Sequence, residues 1–350
     1  MKDLIFKEDV RYIFELVKSD FLQLKDKKIL VTGATGFVGT YLIETLLLHN
    51  QLQPEFSCKI FGLVRNPAKN NQNALYLKIS RKDVVLLSGD VRSFKFSEPF
   101  DFIIHAAAPV DPKFLRQNPL EAADIIVNGT YQILQQAVEN KTSRVLYISS
   151  GAVYGRQPVD LSEISEEYIG GPNITDANSG YGEAKRYAEI LCSMFKKVYD
   201  LPVVVARPFT FVGPCQDLNS GFAVTEFIKA ALDEKPIRIE GDGTILRSYC
   251  YGADLAVALW KIFFHGENGR AYNIGSQEPV SIAELARMIV DLSKSKSEII
   301  ILQKPVAHSK PVRYIPDTSR LKTEIGMVNK FNLKDALKRT IDWAKDKKGD

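Results

Sequence analysis

Tyr181 and Lys185 stand four residues apart in "YGEAK", a spacing that puts both on one face of a helix. A phenol with its ordinary pKa of about 10 is a poor base at neutral pH. An ammonium beside it favours the phenolate, which can then take the proton of a hydroxyl group. Ser150 ends the apolar run "RVLYISS" upstream and is placed to hydrogen-bond the same oxygen. Alone, a Tyr-x-x-x-Lys pair is common by chance and usually just a solvated helix face. What precedes it decides.

"VTGATGFVGTYLIETLL" supplies the deciding context: Gly33, Gly36 and Gly39 lie where an apolar strand passes into a helical pattern. A helix N-terminus offers unpaired N–H groups and partial positive charge, both suited to a pyrophosphate. Glycine lets the phosphates approach and permits a tight turn and close strand–helix packing. Thr35, Phe37 and Val38 line the same turn. The G-x-x-G-x-x-G spacing is one residue longer than the common dinucleotide fingerprint, and no Gly-Lys-Ser/Thr follows, which excludes a P-loop. With a nicotinamide dinucleotide in place, Tyr181 can take the proton of a sugar hydroxyl as hydride leaves for the cofactor. The second strand, "KIFGLVRNPAKN", carries no acid at its tip to hold a ribose 2′-hydroxyl. Arg65, with Lys69 nearby, suits a 2′-phosphate and favours NADP over NAD; the alternative is a solvated arginine. Asp90 and Val91, ending the next strand, fall where an adenine edge is read.

The elements that position these groups alternate. "KILVTG", "CKIFGLV", "DVVLLSGD", "DFIIHAAA", "RVLYISS" and "PVVVARPF" read as strands, separated by helical stretches such as "DIIVNGTYQILQQAVEN" and "YGEAKRYAEILCSMFKKVY". Continuous apolar strands alternating with helices predict a Rossmann-type doubly wound parallel sheet, covered on both faces, with a smaller mixed α/β C-terminal substrate lobe. We assign residues 27–210 to the dinucleotide-binding domain and 211–350 mainly to the substrate lobe, with about 248–275 returning to the first domain. "VTEFIKAALDEKP" reads as a helix ended by its proline. Ser281 and Glu284 form a capping box, and Asn332 caps a final helix.

Residues 1–26 form an amphipathic segment, with Ile5, Phe6, Val10, Ile13, Phe14, Val17 and Phe21 at helical spacing. Its mixed charges are not those of a signal peptide, and packing against the body or a partner subunit is expected rather than membrane binding. A net charge of +4, spread along the chain, gives no nucleic-acid footprint, and no apolar run has membrane-spanning length. Cys58, Cys192, Cys215 and Cys250 are far apart and lack metal spacing. They read as free thiols of a cytoplasmic protein, and no metal site is expected.

"TGATGFVG", "HAAA", "SSGAVYG", "YGEAK" and "RPFTFVGP" together resemble the extended short-chain dehydrogenase/reductase family, in its nucleotide-sugar epimerase/dehydratase branch, from about Lys28 to near the C-terminus. The resemblance implies a Ser150–Tyr181–Lys185 triad, bound NAD or NADP, and a hexose or pentose on a nucleoside diphosphate as substrate. It implies that Ala106, Ala107 and Ala108 line the cofactor, with Pro208 and Phe209 by the nicotinamide. Arg247 in "GTILRSYCY" would clamp the substrate diphosphate, a task suited to an arginine fork, and Arg313 would be a second clamp. Both also read as surface charges. Asn128 would support the site without reacting, and His105 would pack near the cofactor. A homodimer through the helices around 121–139 and 181–199 is implied as well; burial within the monomer explains the same apolar pattern.

Family dehydratases follow the serine position with Asp-Glu, and sugar-acid decarboxylases keep a glutamate there. This chain has Gly151 and Ala152, neither of which moves a proton. The expectation is therefore a 4-epimerase or 4-keto-reductase working through hydride transfer at sugar C4. Small Gly151 and, with Ser150, Thr210 would border the sugar; many relatives carry asparagine where Thr210 stands, which leaves the sugar open. The alternative is a 4,6-dehydratase or UDP-glucuronate decarboxylase that recruits Glu163, Glu166 or Glu183. A non-catalytic dinucleotide sensor is a further alternative, against which the intact Tyr181 and Lys185 speak.

Overall fold

The computed structural model describes residues 3–65, 84–306 and 310–348. Lys69 lies outside them. The chain opens with α1 (Leu4–Val17), followed by β1 (Lys28–Thr32), α2 (Phe37–Leu52), β2 (Lys59–Val64), β3 (Val84–Ser88) and β4 (Phe102–His105). Then come α3 (Pro112–Gln117), α4 (Pro119–Glu139), β5 (Arg144–Ile148), α5 (Gly180–Tyr199) and β6 (Val203–Pro208). The remainder comprises β7 (Phe211–Val212), α6 (Ala223–Leu232), β8 (Ile237–Ile239), β9 (Leu246–Arg247), β10 (Cys250–Tyr251) and α7 (Gly252–His265). It continues through β11 (Ala271–Ile274), β12 (Val280–Ser281), α8 (Ile282–Ser293), β13 (Ile299–Ile301), β14 (Arg313–Tyr314), α9 (Ser319–Ile325) and α10 (Leu333–Lys348).

Seven strands form one sheet in the order β11-β6-β5-β4-β1-β2-β3, and every neighbouring pair is parallel. Its central strands are apolar throughout because helices cover both faces: Ile29, Leu30, Val31, Ile103 and Ile104 are fully buried. The strand order reverses between β1 and β4, which opens a crevice at their C-terminal ends. β11 brings residues beyond the lobe's first strands back to the edge of this sheet, beside β6. The lobe itself is built from short pairings, among them β9 between antiparallel β12 and parallel β14.

Helix α1 packs on α2 and α7, burying Phe6, Val10, Ile13, Phe14 and Val17. Each such side chain contributes about 1.5–3 kcal/mol, so the segment is part of the body. Asp9, on the same face, is fully buried and is held by the hydroxyls of Tyr41 (3.1 Å) and Tyr251 (2.6 Å) and by Arg339 (2.8 Å). The Ser281–Glu284 capping box and the Asn332 cap both form. One boundary differs: α6 ends at Leu232, ahead of Pro236, because the chain turns at Asp233 and enters left-handed backbone at Glu234.

Candidate active site

The β1–α2 turn explains its glycines individually. Gly33 has φ +66°, and a Cβ there would fall 2.8 Å from the Ala106 carbonyl oxygen, so β4's following loop lies directly against it. A Cβ on Gly39 would fall 2.5 Å from Ala34 O. Gly36 is exposed and precedes α2 without any side-chain cap, so the cap residue supplies no side-chain acceptor to the first-turn N–H groups. The Phe37 ring turns away to stack on Phe211 at 4.9 Å, so its contribution to the cradle is its backbone N–H. A dinucleotide pyrophosphate fits this arrangement. Behind it, the Thr32 hydroxyl bonds His105 Nδ1 (2.7 Å) and accepts from Ala107 N (3.1 Å), fixing the Ala106–Ala108 loop. Burial drives His105 down to about 3, which keeps it neutral.

Where the sequence reading puts the adenine end, Arg65 is exposed at the tip of β2. Arg92, which sequence reasoning passed over, forks the Asp90 carboxylate (Nε at 2.9 Å, Nη2 at 2.6 Å) and reaches Asp124 at 2.6 Å. Its hydrogen bonds hold the Asp90 carboxyl below the usual range. Val91 is buried against α4, where a Cβ on Gly129 would touch it at 2.6 Å. Its side chain is therefore core.

The catalytic candidates converge where β5 ends. Ser150 caps a short turn over Gly151–Tyr154 by accepting from Ala152 N at 3.1 Å. Its hydroxyl lies within hydrogen-bonding reach of both Tyr181 and Tyr314. Burial raises the Tyr181 phenol above its ordinary value, and the Ser150 hydrogen bond pulls it back. Lys185 is buried, donates to Ile148 O at 2.7 Å and stands 5.0 Å from the centre of the Tyr147 ring. Burial pushes its ammonium down to about 7. The hydrogen bond from Ser150 is the influence that lowers the Tyr181 phenol here, while Lys185 donates to the β5 carbonyl.

Tyr314 is the site residue that sequence reasoning missed. It comes from β14, packs on Phe209 at 4.6 Å and lies 5.7 Å from the Arg247 guanidinium, its register partner across β9–β14. Arg313 precedes it in the strand and therefore projects to the opposite face. Position 151 meets both aromatic groups: a Cβ there would lie 2.6 Å from the Tyr314 hydroxyl and 2.7 Å from the Phe209 ring. Pro208 is buried at the end of β6, and the buried Oγ atoms of Thr210 and Ser248 have no hydrogen-bond partner among the described residues. Of the carboxylates considered for recruitment, two are engaged elsewhere. Glu163 accepts from Gln277 and Glu166 from Asn273 N, whereas the buried Glu183 Oε1 has no hydrogen-bond partner among the described residues and lies 3.9 Å from Arg186 Nη1, so Glu183 is not tied up in the same way. Asn128 bonds Asp124 at 2.5 Å. Among the described residues there is no cluster of three or more His, Cys, Asp or Glu able to hold a metal, and no helix long and apolar enough to cross a membrane.

A doubly wound sheet with a pyrophosphate cradle after β1 and a Ser-Tyr-Lys group after β5 defines a dinucleotide-dependent enzyme. Residues 29–275 match the model of the NAD dependent epimerase/dehydratase family, and the chain belongs to that family, as its motifs led us to expect. It is 30% identical over 288 residues, 82% of this chain and 80% of the relative, to UDP-glucuronic acid decarboxylase 6 of Arabidopsis thaliana. Among solved structures it resembles the UDP-glucuronic acid 4-epimerase from Bacillus cereus in complex with NAD (27% identity, TM-score 0.76, covering 91% of this chain and 99% of that one). The fold is also that of DesIV, a dTDP-glucose 4,6-dehydratase from Streptomyces venezuelae (24% identity, TM-score 0.80, covering 92% and 98%).

Proposed function

We propose that this chain is an NAD(P)-dependent nucleotide-sugar 4-epimerase or 4-keto-reductase. The observation that carries the choice is position 151: no carboxylate follows Ser150, and the space is filled by Tyr314 and Phe209. The bound dinucleotide would supply the acceptor and donor of a hydride at sugar C4. Tyr181 takes the proton from the 4-hydroxyl and returns it, with Ser150 orienting the same oxygen. The positive charge of an oxidised nicotinamide ring favours the phenolate that burial disfavours. Arg247 holds the diphosphate, and Arg313 stands on the other face of β14. An epimerase then needs only room for the 4-keto sugar to turn over.

Incubation of UDP- and dTDP-hexoses and UDP-uronic acids with NAD, and of a nucleoside-diphosphate 4-keto sugar with NADPH, followed by NMR at C4 and C6, tests this. Inversion at C4 of the hydroxyl sugars, or reduction of the 4-keto sugar with oxidation of NADPH, is expected; loss of the C6 hydroxyl as water, or release of CO2, would overturn it. The second reading, a decarboxylase, is favoured by the similarity to a UDP-glucuronic acid decarboxylase.

Arg65 supports NADP, although the family is named for NAD. A homodimer is supported by the apolar stripe that Tyr187, Ile190, Met194, Val198 and Tyr199 expose on α5, beside exposed Tyr131 on α4. Light scattering after size exclusion tests it. A cytoplasmic site of action agrees with four free, buried cysteines.

A further inference from the structure

Behind the catalytic group lies a buried polar network that the chemistry above leaves unused. Glu189 sits one turn past Lys185 on α5, with its side chain 12% exposed. Its carboxylate accepts from Ser149 Oγ at 2.5 Å and from the Arg207 guanidinium at 3.0 Å (Nε) and 2.6 Å (Nη2). Arg207 Nη1 donates at 2.6 Å to the Tyr154 hydroxyl, which donates at 2.8 Å to Asn273 Oδ1. Asn273 Nδ2 donates in turn to the carbonyls of Ile164 and Asp317.

Each link adjoins a site segment. Ser149 precedes Ser150, Arg207 precedes Pro208, and Asp317 follows closely on Tyr314. A buried ion pair brings little net stability, since desolvation offsets the attraction. The network is better explained by what it holds in place.

Resting on the reading of Ser150, Tyr181 and Lys185 as the reacting centre, we propose that Glu189 is a positioning residue. It ties the Lys185 turn of α5 to the strand ends that carry Ser150 and Pro208, and its carboxylate opposes the loss of the Lys185 proton that burial favours. The groups that act on Lys185 among the described residues are Glu189 and Cys192 on α5, Tyr147 on β5 and His105 on β4, with Arg207 of β6 paired to Glu189 behind them. Burial holds His105 neutral and pushes the Cys192 thiol and the phenols of Tyr147 and Tyr181 upward. That leaves Glu189 as the charge opposing the desolvation of Lys185, and it stands first among the influences that do so.

The test titrates Lys185 directly, by NMR of protein labelled with 13C-lysine, its signal assigned by loss in Lys185→Arg. Glu189→Gln should lower the Lys185 midpoint by about one unit or more, whereas Glu189→Asp, which keeps the charge, should hold it within about half a unit. On whichever nucleotide sugar the wild type turns over, Glu189→Gln should lower kcat about tenfold or more while KM changes less than about threefold. Should that variant fail to fold, Glu189→Gln/Arg207→Gln leaves no unpaired buried charge; with anion and cation both gone its Lys185 midpoint should move less, but the lost tie should still lower kcat about tenfold with KM little changed. An unmoved midpoint in folded Glu189→Gln, or an undiminished kcat in the folded double variant, overturns the proposal. The titration needs no substrate, so a protein inactive on every sugar would defeat the proposed function while leaving this inference to its own measurement.

Discussion

The Tyr314 hydroxyl and the Gly151 Cα are so close that a Cβ at position 151 would lie 2.6 Å from the phenol oxygen. The smallest residue in the chain and a tyrosine from a distant strand thus define one wall of the site together. Gly151→Ala should overpack this wall and cost about 1–3 kcal/mol. Adding Tyr314→Phe should recover only part, because the Phe209 ring stands at 2.7 Å from the same point. Urea melts of the two variants against wild type measure both steps.

Tyr181 is the group whose loss should separate chemistry from binding. Tyr181→Phe removes the proton-transferring oxygen and preserves the ring, so turnover should fall about 10²–10⁴-fold while dinucleotide affinity stays within a few-fold. Calorimetric titration beside steady-state kinetics checks this. Undiminished turnover would remove Tyr181 from the mechanism.

Much of this arrangement was legible in the sequence because its causes are local. The glycines of the β1–α2 turn, the four-residue spacing of Tyr181 and Lys185, and the Ser281 capping box each express one turn of backbone. Tyr314 was not legible. It sits in a two-residue strand, too short for alternation to register, and reaches Ser150 only because β14 pairs with β9. Arg92 and the Glu189–Arg207 pair were missed for a related reason. Charged residues in sequence read as solvated, and only packing reveals which carboxylate each meets. Nor could the sequence show that the Lys185 ammonium donates to Ile148 O.

Cofactor choice turns on Arg65. It is exposed at the tip of β2, where a ribose 2′-substituent would be read. Arg65→Ala should weaken NADP about tenfold, the loss of one charge-assisted contact, and leave NAD within about twofold. Fluorescence titration with each dinucleotide decides; equal, unchanged affinities would make Arg65 a solvated side chain.

Asp9 gives the fold a pH dependence whose sign can be worked out. Burial raises its carboxyl to about 6 from the ordinary value of 3.8, against the opposing hydrogen bonds of Tyr251, Arg339 and Tyr41. Between these two values the unfolded chain has already lost the proton that the folded chain keeps. Stability from this group is therefore fully present below about pH 4 and is lost as pH rises through about 6. Two pKa units correspond to about 3 kcal/mol. The unfolding free energy of wild type minus that of Asp9→Asn should thus fall by about that amount between pH 4 and 7, other groups cancelling in the difference. Urea melts at half-unit intervals measure it. A flat difference would mean that Arg339 and the two tyrosines already compensate the buried carboxylate in full, leaving its titration the same in the folded and unfolded chains.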